Sequence, residues 1–179
     1  MSKRNKKATK QIALGAMLIA TGIALATLIW FPFLGAKAFP VQHMINAIGG
    51  VFLGPIWAAF IATAIGSIRN ILGTGTIYAF PGGIPGGMIV GLFYLLIVKA
   101  ARKKHGNLAA LTEPIGTVFI GATLSVYVFA PLFGDLQSVG ALIPFWISFA
   151  TSSIPGSIIG FIVLQVLEVG GIDGEYFRQ

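Results

Sequence analysis

Residues 12–33 run without a charged side chain, and Thr21 and Thr27 are the only hydroxyl-bearing residues among them. A soluble domain has little use for such a stretch. A bilayer does, because its hydrocarbon core is about 30 Å thick and needs roughly 20 apolar residues at 1.5 Å each. Inside lipid a helix satisfies every backbone donor within its own run, so the stretch reads as a spanning helix. Ala36-Lys37-Ala38, just beyond it, looks like a signal-peptide cleavage site. Signal h-regions hold only about 7–15 residues, however, so the run is read as retained.

The rest of the chain agrees with this reading. Only 9% of its residues are charged, against about 25% in a typical soluble domain. Glycine is frequent, at 24 residues, which lets membrane helices approach closely. The net charge of +7 does not indicate nucleic acid, because all but three of the twelve cations sit in two clusters. Lys3, Arg4, Lys6, Lys7 and Lys10 precede the first apolar run. Lys99, Arg102, Lys103 and Lys104 follow a later one. Basic clusters flanking apolar runs mark cytoplasmic loops.

Five further apolar segments are expected. Residues 42–53 form a short one, closed by Gly54-Pro55, and residues 56–71 form the next. Phe80-Pro81-Gly82-Gly83-Ile84-Pro85-Gly86-Gly87 is a broken entry into a fourth that reaches Val98. Glu113-Pro114 opens a fifth, which runs to about Phe129. A sixth covers residues 141–167, with a break near Ser152-Ser153-Ile154-Pro155-Gly156. The expectation is an all-α integral membrane protein with six transmembrane helices and both termini cytoplasmic. Residues 1–11 form a basic cytoplasmic tail, residues 12–168 the six-helix domain and residues 169–179 a second cytoplasmic tail. Counting spans puts residues 35–40, 72–79 and 131–140 outside. The same count places Glu113 on the inner side and Asp135 on the outer.

Several activities are excluded or disfavoured. No Gly-x-x-x-x-Gly-Lys-Ser/Thr occurs, so no ATP site of that kind is expected. There is no cysteine. His43 and His105 fall on opposite sides of the membrane, so no metal site is expected. No paired carboxylates lie in the apolar runs, and neither an enzyme nor a resident cofactor is expected.

Polar residues collect at the outer ends of segments two and three. His43 and Asn46, three apart, share a helix face, with Gln42 beside them. Arg69 and Asn70 end segment three. His43 lies about 11 residues before the turn at Gly54-Pro55 and Arg69 about 14 after it, so at 1.5 Å per residue both stand roughly 16–21 Å from the turn. One outer pocket is therefore expected, lined by His43, Asn46, Arg69 and Asn70. Lys37 and Phe39 from the first outer loop would close it, together with Thr74, Thr76 and Tyr78 from the second. Bland readings stand beside each of these. His43 and Asn46 serve equally as a structural network, Arg69 as a snorkelling cation, Asn70 as a helix cap, Lys37 as a solvated charge and Tyr78 as an interface-belt residue. Likewise Ala16, Ala20 and Ala24 form a small-residue stripe that suits either packing within the chain or docking by another membrane protein.

Two blocks carry a family resemblance: Gly35-Ala36-Lys37-Ala38-Phe39-Pro40-Val41-Gln42-His43-Met44 with Asn46, and Arg69-Asn70-Ile71-Leu72-Gly73-Thr74-Gly75-Thr76 with Ala79-Phe80-Pro81-Gly82. Through them the chain resembles the ThiW family among the substrate-binding S components of energy-coupling-factor (ECF) vitamin transporters. The resemblance implies capture of the thiazole precursor of thiamine, hydroxyethylthiazole, from outside a bacterial or archaeal cell membrane. It implies partners too: an ECF coupling transmembrane subunit, docked through Ala16 and Ala20, and two cytoplasmic ATPases. The alternatives are a phosphorylated thiazole, toward which Arg69 and Lys37 lean, an S component for another small vitamin fragment, and a membrane scaffold subunit that transports nothing.

Overall fold

The structure, a computed structural model, describes residues 3–33, 36–101 and 103–178, so the expectations attached to Gly35 and Arg102 lie outside the described residues. Its elements are α1 (Lys3–Leu28), strands β1 (Phe31–Phe33) and β2 (Ala36–Ala38), α2 (Pro40–Leu53), α3 (Pro55–Ile71), α4 (Ala79–Ala101), α5 (His105–Leu132) and α6 (Leu142–Val169). The chain is an all-α membrane protein apart from one small hairpin. Four of its helices, α1, α4, α5 and α6, are long and apolar enough to cross a bilayer. Helix α2 has 14 residues, about 21 Å at 1.5 Å per residue, which is short for a full span, while α3 has 17, about 26 Å, at the lower limit for one.

Helix α2 is the centre of the bundle. It packs against α1, α3, α4 and α6, and every residue of it except Met44 is buried. A helix surrounded on all sides has no need to be long, because other helices shield its ends. Gly54, at φ 92°, reverses the chain between α2 and α3. That conformation is cheap only for glycine, and Pro55 then starts α3, where its missing N–H costs nothing.

Three expectations about element ends are corrected. The first helix stops at Leu28, and residues 31–33 form a strand paired antiparallel with β2, Pro32 facing Lys37. Proline lacks a ladder donor and drives the residue before it into extended conformation, so it ends the helix early. The basic segment 3–10 is not a separate tail but the first turns of α1. Helices α4 and α6 run unbroken through Pro85 and Pro155, as membrane helices do where neighbours re-satisfy the freed backbone. In α4 the carbonyl that Pro85 leaves without its helical donor belongs to Pro81. The backbone of α5 closes on it at Gly121, where a Cβ would lie 2.2 Å from Pro81 O.

The fourth correction moves a charge. Helix five does not open at Glu113. It is already helical from Lys103, in 3-10 form over Lys103–Thr112, before π-helical turns at Ile115–Gly121 and Ser125–Phe129. A 3-10 helix rises about 2.0 Å per residue, so the 10 residues before Glu113 carry it roughly 20 Å into the bundle. Glu113 therefore sits inside the bundle, fully buried, and not at the end where its helix begins.

Contacts place the ends. Lys7 donates to the Arg178 carbonyl and Lys10 lies over the Tyr176 ring at 4.6 Å. Arg178 donates to the carbonyls of Gly50 (3.0 Å) and Val51 (2.8 Å), which end α2, and Tyr94 donates to Glu175 at 3.1 Å. Burial in this clasp lowers the Arg178 pKa. The start of α1, the α2–α3 turn, the C-terminal half of α4 and residues 173–178 thus share one end of the molecule. The β-hairpin, residues 72–78 and residues 133–141 occupy the other.

Candidate functional site

The site is built upward from Glu113, which is 0% exposed. Its Oε1 lies 2.8 Å from His43 Nδ1, 2.9 Å from Asn46 Nδ2 and 2.6 Å from Thr117 Oγ1, and its Oε2 accepts from Ser153 Oγ. The single Thr117 proton also faces Gly82 O at 2.7 Å, so it serves one acceptor at a time. Asn46 spends its second N–H on Gly83 O at 3.0 Å. One carboxylate thus joins α2, α5 and α6 directly and α4 through Asn46. Helix α4 comes this close because Gly86 lacks a side chain, where a Cβ would stand 2.3 Å from Glu113 Oε1.

Above this cluster a cavity of about 590 Å³ opens between α2, α6 and the α3–α4 connection. That lies within the common range for small-molecule sites, about 300–1,000 Å³. Eight residues named from the sequence line it: Lys37, Phe39, Gln42, His43, Arg69, Thr74, Thr76 and Tyr78. His43 is both floor of the cavity and roof of the Glu113 cluster.

Two named residues are elsewhere. Asn46, 1% exposed, lies below the floor and does not line the cavity. Asn70 caps the end of α3, donating to Gly66 O at 2.8 Å and Thr76 O at 3.0 Å. The snorkelling reading of Arg69 is set aside, since the residue is only 2% exposed. Its Nη1 donates to Gln42 Oε1 at 2.6 Å, its Nη2 to Thr74 O at 3.1 Å, and its guanidinium stacks on Phe39 at 3.9 Å. The loop answers in kind, with the Thr74 and Gly75 amides donating to Arg69 O at 2.9 and 3.0 Å.

The opposite wall was not visible in the sequence. It comes from the first half of α6: Pro144, Phe145, Ser148, Phe149 and Ser152. Phe145 meets Tyr78 edge-on at 5.1 Å and Phe149 at 5.8 Å. Ser152 accepts the Phe39 N–H at 3.1 Å, fixing the start of α2 against this wall. Tyr78 donates to Asp135 Oδ2 at 2.5 Å, so the α3–α4 and α5–α6 connections are tied at the cavity rim. That bond holds the Asp135 carboxyl below its usual range, while burial, followed by the nearby carboxylate, raises the Tyr78 phenol.

The arrangement suits a flat, partly polar molecule. Phe39, Tyr78, Phe145 and Phe149 offer aromatic surface; Gln42, His43, Ser148 and the loop threonines offer hydrogen-bonding groups. Among the described residues no cluster of three or more His, Asp or Glu side chains able to hold a metal occurs.

A protein-family model described as "Thiamine-precursor transporter protein (ThiW)" matches residues 12–169. No curated protein and no solved structure matches the chain.

Proposed function

The chain belongs to the ThiW family of thiamine-precursor transporter proteins, and from that premise we propose that its cavity captures hydroxyethylthiazole at the outer face of a bacterial or archaeal cytoplasmic membrane. The observation that carries this reading is the cavity itself. Its volume, its aromatic walls and its floor of hydrogen-bonding groups match a small heteroaromatic ring with a short alcohol arm. Titration calorimetry of detergent-purified protein with hydroxyethylthiazole tests it. Saturable one-to-one binding is expected, and no heat at millimolar ligand would remove the proposal. A scaffold subunit without a ligand draws support from one observation: the donors of Asn46, Thr117 and Ser153 are spent inside the protein. That reading predicts no saturable binding at all.

The proposal extends to an S-component role, in which an ECF coupling transmembrane subunit and two cytoplasmic ATPases supply the energy. The cavity end of the molecule would face outward. The opposite end, with both basic clusters, would face the cytoplasm, as the positive-inside pattern requires. The support for a partner lies on α1. Leu14, Gly15, Leu18, Gly22 and Ala26 are its buried positions, with Gly15 against Trp57 and Gly22 against Ile65. Ala16, Ala20 and Ala24 are exposed on another face. That exposure supports the docking reading of the stripe, which a second membrane helix could cover. Ala16→Trp or Ala20→Trp should abolish ATP-driven uptake in reconstituted vesicles and leave ligand binding by the isolated subunit intact. Joint loss of binding and uptake would return the stripe to an internal role.

A further inference from the structure

Arg69 carries a charge that nothing among the described residues balances. Among the described residues the one ion pair is His43 with Glu113, and Arg69 has only neutral partners, Gln42 Oε1 and Thr74 O. Its Nε is buried with no partner. Five N–H groups make up a guanidinium and two are committed, which leaves three.

The chain has five acidic residues, and each is engaged or distant. Glu113 sits in its buried cluster. Asp135 is held by Tyr78 and Ser138. Glu168 accepts from Asn107 at 2.6 Å, and Asp173 and Glu175 lie at the opposite end with Tyr94 and Arg178. The other cation on the cavity, Lys37, rests over the Trp30 ring at 4.3 Å and likewise forms no ion pair among the described residues.

A buried guanidinium without a counter-charge is costly, the more so at membrane depth, and such groups face a functional cavity by default. A neutral thiazole alcohol would leave that cost in place. An anion would remove it, and the planar fork of arginine suits phosphate oxygens.

We propose that the cavity takes its thiazole with an anionic arm, a phosphate monoester in place of the free hydroxyl, and that Arg69 is the residue that contacts the anion. This rests on the cavity being the thiazole site. Lys37 at the rim adds attraction without being required.

The test compares hydroxyethylthiazole with its phosphate monoester by calorimetry, in detergent free of phospholipid. Wild-type protein should bind the monoester about tenfold or more tighter, as expected of charge-assisted hydrogen bonds. Arg69→Gln should bring the two affinities to within about threefold, because the charge discriminates between them. An arginine that only orders the 72–76 loop would weaken both ligands alike and leave the ratio unchanged, which overturns the proposal.

Equal or tighter binding of the alcohol by wild-type protein also overturns it, and that comparison stands even if the variant does not fold. Displacement of the monoester by added phosphatidylglycerol would assign the charge to a lipid headgroup and overturn it too. Tight alcohol binding with weak monoester binding removes this inference and keeps the thiazole reading. Failure of both probes removes both.

Discussion

Glu113→Ala is expected to lower stability by about 3–5 kcal/mol, because it strips a buried charge partner from His43 and an acceptor from Asn46, Thr117 and Ser153. Typical domains are stable by only 5–15 kcal/mol, so much of the variant should be lost as aggregate on extraction. Glu113→Gln is the sharper test. It keeps the volume but brings two N–H groups to a point where side-chain donors already converge. One kcal/mol is worth about 2–4 °C in a domain of this size, so a loss of 3–5 kcal/mol corresponds to a melting temperature roughly 6–20 °C lower. Thermal unfolding in detergent, without ligand, reads this directly. A Glu113→Gln protein melting within 2 °C of wild type, by that same scale, would show that the cluster is peripheral to stability. Saturating ligand should raise the melting temperature of Glu113→Gln about as much as that of wild type, since Glu113 does not line the cavity and affinity is kept.

His43 and Asn46 should then separate, although one helix face carries both. His43 lines the cavity and Asn46 does not. A hydrogen bond left unmade costs about 1–3 kcal/mol, so His43→Ala should weaken thiazole binding roughly 5- to 150-fold. Asn46→Ala removes donors from Gly83 O and Glu113 Oε1, which should cost about 1–3 kcal/mol of stability while ligand affinity stays within about threefold. Since His43→Ala also unpairs Glu113, Gln42→Ala serves beside it: Gln42 touches the cavity and spares the carboxylate cluster. Calorimetry on the folded fraction, with melting curves for each variant, separates the two effects. Equal loss of affinity in a folded Asn46→Ala protein would place the ligand one turn deeper than the cavity does.

What sequence alone determined about this protein is local or periodic. Uncharged runs and flanking cations specify membrane helices, since lipid penalises charge and open backbone wherever it occurs along the chain. The Gly54-Pro55 turn makes α2 and α3 neighbours, and a fixed rise per residue then brings His43 and Arg69 to one depth. That is why Gln42, His43, Arg69 and the 72–78 connection meet at one cavity.

Tertiary structure decided three things that no spacing announces. The wall of Phe145, Ser148, Phe149 and Ser152 lies on a helix whose serines and glycines recur at spacing four, a pattern that plain helix–helix packing also uses, so it does not tell a cavity wall from a packing face. Asn46 and His43 share a face, and only the packing of α4 over Asn46 decides which of them meets the cavity. Glu113 reads as the start of a helix at the inner surface. Its depth depends instead on a 3-10 stretch, whose longer rise per residue is set by packing against α4 and α6. Partners such as His43 and Glu113, 70 positions apart, are chosen by how helices pack across the bundle, and that choice is a property of the assembled core rather than of any segment.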